Sequence, residues 1–142
     1  TKSYKGKYKS FVNKNKILYK YENANGIKTG YTLKAGRCLV SSAERDGMDV
    51  VTVVLNCPEM YERSIDIFET CFKKFKLLKL DCGKAFNLNG RLCALRNDEK
   101  LVIESAAKIS YRIEPVENCE EIAQLLIYNE NKLIFTGKLY SI

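Results

Sequence analysis

The sequence predicts an α+β protein, an antiparallel sheet with a packed helix followed by a small β-sandwich domain. Three observations carry that prediction. Residues 27–56 hold three apolar, β-branched segments separated by tight-turn residues. Residues 58–76 hold one apolar stripe at helical spacing. From about Leu78 onward, short alternating segments recur with turn signals and no helical pattern. With 46% hydrophobic and 29% charged residues, the chain has the composition of a folded protein rather than a disordered one. Its 142 residues are expected to divide at 1–78 and 79–142.

In chain order, Ile17-Leu18-Tyr19 reads as a short strand and Asn23-Ala24-Asn25-Gly26 as a turn. Ile27–Leu33 follows as a strand, and Lys34-Ala35-Gly36 turns the chain into Arg37–Ala43. Arg45-Asp46-Gly47 carries the Asp-Gly hairpin signal. Met48–Asn56 (Met-Asp-Val-Val-Thr-Val-Val-Leu-Asn) is the strongest strand, and its β-branched density predicts burial on both faces. A helix then opens at Pro58, with Glu59 and Glu62 at its positive end and Lys73, Lys74 and Lys76 at its negative end. Tyr61, Ile65, Phe68, Phe72 and Phe75 form its apolar stripe, expected to pack on one face of the sheet. In the tail, Lys84–Leu88 and Arg91–Leu95 flank an Asn89-Gly90 turn. Leu101–Ile103 and Ile109–Ile113 read as strands, and Ile122–Tyr128 with Lys132–Tyr140 as a terminal hairpin.

Charge and residue usage narrow the chemistry. The net charge is +7, and residues 1–37 hold ten Lys and Arg against one acid, Glu22. Such a basic stretch either attracts an anionic partner or guards a sheet edge with lysines, and the second reading is favoured. There are no histidines, which removes the commonest general base and metal ligand. The six cysteines, Cys38, Cys57, Cys71, Cys82, Cys93 and Cys119, form no Cys-x-x-Cys pair, so no metal site is expected. They are read as free, buried thiols packing as small hydrophobes. No apolar run reaches the roughly 20 residues of a membrane-spanning helix, and no cofactor is expected.

The most specific feature is Lys28-Thr29-Gly30, set in Gly26-Ile27-Lys28-Thr29-Gly30-Tyr31-Thr32. A bare Lys-Thr-Gly arises by chance in roughly a few per cent of chains this long. Here it lies on a strand, followed by Ala35-Gly36-Arg37-Cys38-Leu39-Val40, an Asp-Gly turn, a strong strand and an amphipathic helix ending Cys71-Phe72. That order resembles the C-terminal half of the transpeptidase/β-lactamase-like domain of serine D-alanyl-D-alanine carboxypeptidases, the low-molecular-mass penicillin-binding proteins. Lys-Thr-Gly is one of the three motifs that build their active site. The β-rich tail is similar to the small domain that follows in the same family.

The resemblance implies a serine carboxypeptidase that trims terminal D-alanine from peptidoglycan stem peptides ending in D-Ala-D-Ala, through an acyl-enzyme, with β-lactams as inhibitors. It implies an extracytoplasmic location at the cell envelope, with the intact protein associated with the membrane surface. Lys28 is the candidate catalytic residue of this chain. Its ammonium can hold the substrate carboxylate or tune the proton network around the nucleophile. Thr29 can donate its hydroxyl to the same carboxylate. Gly30 lets substrate or a neighbouring helix approach the backbone. The backbone N–H of Tyr31 corresponds to an oxyanion-hole donor, and Thr32 projects nearby. Arg63 is the nearest residue to an arginine that some relatives carry early in the following helix, and as a surface helix residue it is read as structural.

The family also needs a Ser-x-x-Lys nucleophile motif and a Ser-x-Asn motif upstream, and 27 residues before Lys28 leave no room for them. The chain is therefore expected to be a fragment that lacks the upstream half of the catalytic domain and is inactive alone. Ser105-Ala106-Ala107-Lys108 matches Ser-x-x-Lys only in spelling, and Tyr21-Glu22-Asn23 reads as turn chemistry. Loss of the upstream half is expected to expose apolar faces on Met48–Asn56 and on the Phe68/Phe72 helix, favouring self-association or a partner segment. The alternative functional class is a non-catalytic module docking to wall or membrane. No nucleic-acid partner is expected, because that reading leaves the ordered Lys-Thr-Gly setting unexplained.

Overall fold

A computed structural model describes residues 1–7, 9–116 and 121–141. The chain forms two compact units, Thr1–Phe75 and Lys76–Ile142. The first opens with a hairpin of β1 (Ser3–Lys5) and β2 (Ser10–Val12), both exposed, which the sequence reading does not anticipate. A one-turn helix α1 (Ile17–Lys20) precedes the antiparallel meander β3 (Ala24–Thr32), β4 (Gly36–Arg45) and β5 (Met48–Val54), and α2 (Met60–Lys74) closes the unit.

Ile17-Leu18-Tyr19 is thus helical and not a strand. The Asn15 side chain accepts the Ile17 N–H at 3.3 Å, and Asn15 is itself held by the Asn13 side chain. The helical turn buries the adjacent residues Ile17 and Leu18 together in one core, whereas a strand would send them to opposite faces. Asn23–Gly26 also departs from a simple turn: β3 already begins at Ala24, with a bulge between Ala24 and Gly26 and a Gly26 φ of 133°.

One core fills the space between the sheet and the two helices. Leu39, Ala43 and Val54 from the sheet meet Ile17, Leu18, Met60, Tyr61 and Phe68. Phe68 is fully buried and stacks on Tyr21 with ring centroids 5.5 Å apart. On the same face Ser41 and Thr52 pair through their hydroxyls at 2.8 Å, so neither buried oxygen lacks a partner. The opposite face differs from the expectation for β5. Met48, Thr52 and Val54 are buried, but Val51 and Val53 are each 61% exposed. Only one face of β5 is covered among the described residues, because both helices pack on the same side. The expected apolar exposure therefore falls on the sheet and not on Phe68.

Two local devices fix the ends of the meander. Asp46 and Gly47 both take positive φ (54° and 81°), the geometry of a type I′ hairpin between β4 and β5. At the other end Gly36 has φ 65°, and a β-carbon there would lie 2.1 Å from the Asn56 side chain. Only glycine allows the turn after β3 to sit this close to the segment leading into α2.

In the second unit, β7 (Phe86–Leu88), β8 (Arg91–Leu95), β10 (Ile109–Pro115), β11 (Ala123–Asn129) and β12 (Lys132–Ser141) form a five-stranded sheet in the order β10-β11-β12-β8-β7. A second sheet pairs β6 (Phe75–Leu80) with β9 (Glu99–Glu104). Cys93, Leu95, Leu125, Ile127 and Leu139 of the larger sheet are buried, with Leu78, Leu80 and Leu101 of the smaller one packed against them. This is the expected small β-sandwich. Asn89 and Gly90 again both take positive φ, and Gly90 N–H donates to the Asn87 side chain at 2.8 Å.

The cysteines among the described residues are free, as expected, but only Cys93 is buried; Cys38, Cys57, Cys71 and Cys82 are half-buried. Cys38 lies on the sheet face that the helices do not cover, which explains its partial exposure. Cys119 lies outside the described residues.

Candidate functional site

Strand β3 carries Lys28-Thr29-Gly30-Tyr31-Thr32 and, among the described residues, is an edge strand paired only with β4. Half of its backbone N–H and C=O groups therefore point away from the sheet, an open template for another extended chain. The register sets Lys28 opposite Val40, Thr29 opposite Leu39, Gly30 opposite Cys38, Tyr31 opposite Arg37 and Thr32 opposite Gly36. Because successive residues alternate faces, Thr29, Tyr31 and Arg37 leave the sheet on the Leu39 side, where α2 packs. Lys28 leaves on the other side, shared with Gly30 and Cys38. The structure thus separates Lys28 from Thr29.

The Lys28 ammonium is exposed and donates to the Thr29 carbonyl at 2.5 Å. Thr32 is tied up locally: its hydroxyl oxygen accepts the Ala35 N–H at 2.9 Å and closes the turn into β4. Gly30 is not required by anything around it here. A β-carbon at Gly30 would meet only the Cys38 β-carbon, at 3.9 Å, an ordinary contact.

Beside this strand lies an open groove of about 510 Å³ lined by Thr29, Gly30, Tyr31, Arg37, Met60 and Tyr61. Its floor is rigid. Met60 and Tyr61 are buried in the first turn of α2, and the Arg37 carbonyl accepts the Cys57 N–H at 2.9 Å. The sequence reading missed Arg37, Met60 and Tyr61. Only the β3–β4 register, which sets Arg37 against Tyr31, could have found Arg37. Arg63 is exposed on α2 and does not line the groove.

Two polar clusters hold α2 in place behind the groove. Lys20 pairs with Glu62 in the first turn of α2, and that hydrogen bond holds the Glu62 carboxyl below its ordinary range. Farther along, Arg45 forks onto Glu69, with Nη1 at 3.2 Å, and also donates to the Tyr21 hydroxyl at 2.7 Å. Tyr21 in turn donates to Glu69 at 2.7 Å. The Arg45 bond lowers the Glu69 carboxyl, while burial first and the Glu69 bond second push the Tyr21 phenol up to about 12. Tyr21 therefore clasps the C-terminal end of α1 to β4 and α2 through long-range side-chain bonds, beyond the local turn chemistry expected of it.

Outside this unit, Ser105 and Lys108 are both exposed, in the turn and loop after β9 and not on a helix. Asp81, Cys82 and Asp98 cluster within 4.8 Å, with Asp98 accepting the Cys82 N–H and Asp81 the Gly83 N–H. These carboxylates cap a turn.

Comparison with known proteins places the groove in context. Residues 1–59 match the sequence pattern of the D-alanyl-D-alanine carboxypeptidase family. Over 56 residues the chain is 36% identical to the D-alanyl-D-alanine carboxypeptidase DacF of Bacillus subtilis, a match covering 39% of this chain and 14% of that protein. The whole fold is similar to penicillin binding protein 5 from Haemophilus influenzae (TM-score 0.70, 22% identity, 100% of this chain and 48% of that one). It is similar also to penicillin binding protein 6B from Escherichia coli (TM-score 0.72, 18% identity, 99% and 42%). The chain spans less than half the length of these structures.

Proposed function

We propose that the chain is the C-terminal part of a serine-type carboxypeptidase that removes terminal D-alanine from peptidoglycan stem peptides, the family whose sequence pattern residues 1–59 match. The observation that carries the proposal is the open edge of β3, which presents Lys28-Thr29-Gly30-Tyr31 beside the groove. An extended peptide pairs along that edge as an added strand. A serine supplied by another part of the protein attacks the carbonyl of the penultimate D-alanine. The negative charge that forms on the carbonyl oxygen is held by backbone donors, among them the Tyr31 N–H; one such donor contributes about 3 kcal/mol to the transition state. The C–N bond breaks, D-alanine leaves with the proton taken from the serine, and water hydrolyses the acyl-enzyme.

The separation of faces divides the motif's labour. Lys28 works on the side facing the nucleophile, as a positive charge that tunes proton transfer. Thr29 works on the groove side, as a hydroxyl donor to the substrate's terminal carboxylate. In this reading β-lactams acylate the same serine, the intact protein acts at the cell envelope on the outer side of the cytoplasmic membrane, and the tail sandwich is a separate domain. Among the described residues no helix is long and apolar enough to cross a membrane.

The test compares the intact protein with residues 1–142, each incubated with a fluorescent penicillin. The intact protein should be labelled covalently and residues 1–142 should not. A covalent adduct on residues 1–142 alone would overturn the assignment of the nucleophile to another segment.

A further inference from the structure

The tail unit contains a cavity that the carboxypeptidase reading does not use. It lies between the two sheets of the sandwich and has a volume of about 240 Å³. Its walls are Leu78 and Leu80 of β6 and Leu95, Leu125 and Ile127 of the larger sheet. An engineered cavity of about 150 Å³ with a similar lining stays dry and binds benzene; this one is larger. It opens at the seam of the larger sheet. β7 and β10 are the end strands of that sheet and, among the described residues, do not hydrogen-bond to each other. Phe86 of β7 lies opposite Cys93, and Tyr111 of β10 lies opposite Ile127, so both rings leave on the inner, buried face. The rings meet edge to face, with centroids 6.3 Å apart and planes at 65°. A seam closed by two rings in place of a backbone ladder opens by side-chain rotation alone, and Tyr111 is 62% exposed. Positive charge stands at this mouth. Lys84 Nζ lies 5.6 Å from the Phe86 centroid and 5.8 Å from that of Tyr111, and Lys79 also lines the cavity. Among the described residues neither lysine forms an ion pair. Asp81, the acid of the lining, accepts the Gly83 N–H at 2.8 Å.

We propose that this cavity binds a small anionic amphiphile, its alkyl or aryl tail filling the void and its carboxylate or phosphate head meeting Lys84 at the mouth. The tail supplies most of the affinity, since each methylene taken out of water counts for about 4-fold. The head sets the sign of the charge and stays in water beside the ammonium. The same chemistry is offered by a free amphiphile and by one chain of an anionic lipid at a bilayer surface. The site lies wholly within Lys76–Ile142, so it stands apart from the β3 groove and from the position of the nucleophile.

The experiment titrates the intact protein with octanoate by isothermal calorimetry, beside butyrate and octyltrimethylammonium. Octanoate should bind once per chain with a Kd below about 1 mM, within reach of a ligand of this size. Butyrate, with its shorter tail, should bind at least about 10-fold more weakly. Octyltrimethylammonium, with the same tail and the opposite charge, should also bind more weakly than octanoate. Lys84→Gln should weaken octanoate roughly 2- to 5-fold, the worth of an exposed ion pair, and should not weaken octyltrimethylammonium. Leu80→Phe and Ile109→Phe each put a larger side chain into the void, and either one that keeps the wild-type Tm should lose at least about 10-fold in octanoate affinity. No octanoate binding, equal affinity for the two octyl ions, or wild-type affinity in a filled variant that keeps its Tm would each overturn the proposal. If both filled variants unfold, Lys84→Gln decides, and octanoate binding that it leaves unmoved overturns the proposal. Vesicles of phosphatidylglycerol tell the two sources apart. Co-sedimentation that a filled variant loses assigns the site to a lipid chain, and octanoate binding without co-sedimentation assigns it to a free amphiphile.

Discussion

Replacing Gly30 by alanine should separate stability from function. Gly30 does not adopt the left-handed backbone that favours glycine, and a methyl group there meets only the Cys38 β-carbon, at 3.9 Å. An alanine fits without displacing any described residue. Gly→Ala at a compatible position stabilises by about 0.4–1 kcal/mol, chiefly by restricting the unfolded chain. For a protein of a few hundred residues that raises Tm by roughly 1–4 °C. Activity should move the other way. The new methyl points to the Lys28 face, where the carboxypeptidase reading puts the nucleophile and the reacting carbonyl. A displacement of about 1 Å at a reacting centre costs on the order of 100-fold in rate. Scanning calorimetry of intact Gly30→Ala and its second-order rate of acylation by penicillin measure both quantities. A Tm drop of several degrees would mean that glycine is needed for folding. An unchanged acylation rate would mean that nothing approaches this edge, and the reasoning would be refuted.

Three further outcomes follow from the same structure. Phe68→Ala removes a fully buried ring stacked on Tyr21 and should cost about 3–5 kcal/mol, read as a lowered urea midpoint; a loss under about 1 kcal/mol would contradict the core described here. The Tyr21 phenol, raised to about 12, binds its proton more tightly folded than unfolded. Its contribution to stability is whole below about pH 10 and is lost as pH rises toward 12, so an absorbance titration should show a late-ionising tyrosine that Tyr21→Phe abolishes. Residues 1–142 alone should self-associate through the exposed Val51/Val53 face, and Val51→Lys with Val53→Lys should lower the mass seen by light scattering; a stable dilute monomer of the unsubstituted chain would count against an unpartnered face.

Much of the fold was legible because its signals are local. Asp46-Gly47 and Asn89-Gly90 carry their turn geometry in two residues, and the Tyr61–Phe72 stripe carries the helix and its buried side. What escaped depends on partners distant in sequence. Ile17-Leu18 has strand-like composition, but burying both residues under one sheet required a helical turn. The valines of β5 predicted burial on both faces, and their second face has no cover within the described residues. Phe75 and Lys76 are expected to end the helix, but Phe75–Leu80 is strand β6, paired with β9. At the site, Lys28-Thr29-Gly30 was legible as a motif. Its division between two faces follows from the alternation of a strand and was open to inspection. Arg37 was not, since Gly36-Arg37-Cys38 is unremarkable until the register sets it against Tyr31.

The division of labour between this chain and a nucleophile located elsewhere is tested most directly by locating the acyl group. The intact protein is labelled to completion with penicillin and digested, and the adduct is mapped by mass spectrometry. The adduct should fall on a serine outside residues 1–142, within a Ser-x-x-Lys sequence. An adduct on any residue of this chain, Ser105 included, would contradict the role assigned to the Lys28-Thr29-Gly30 strand as the substrate wall of a site whose nucleophile comes from another segment.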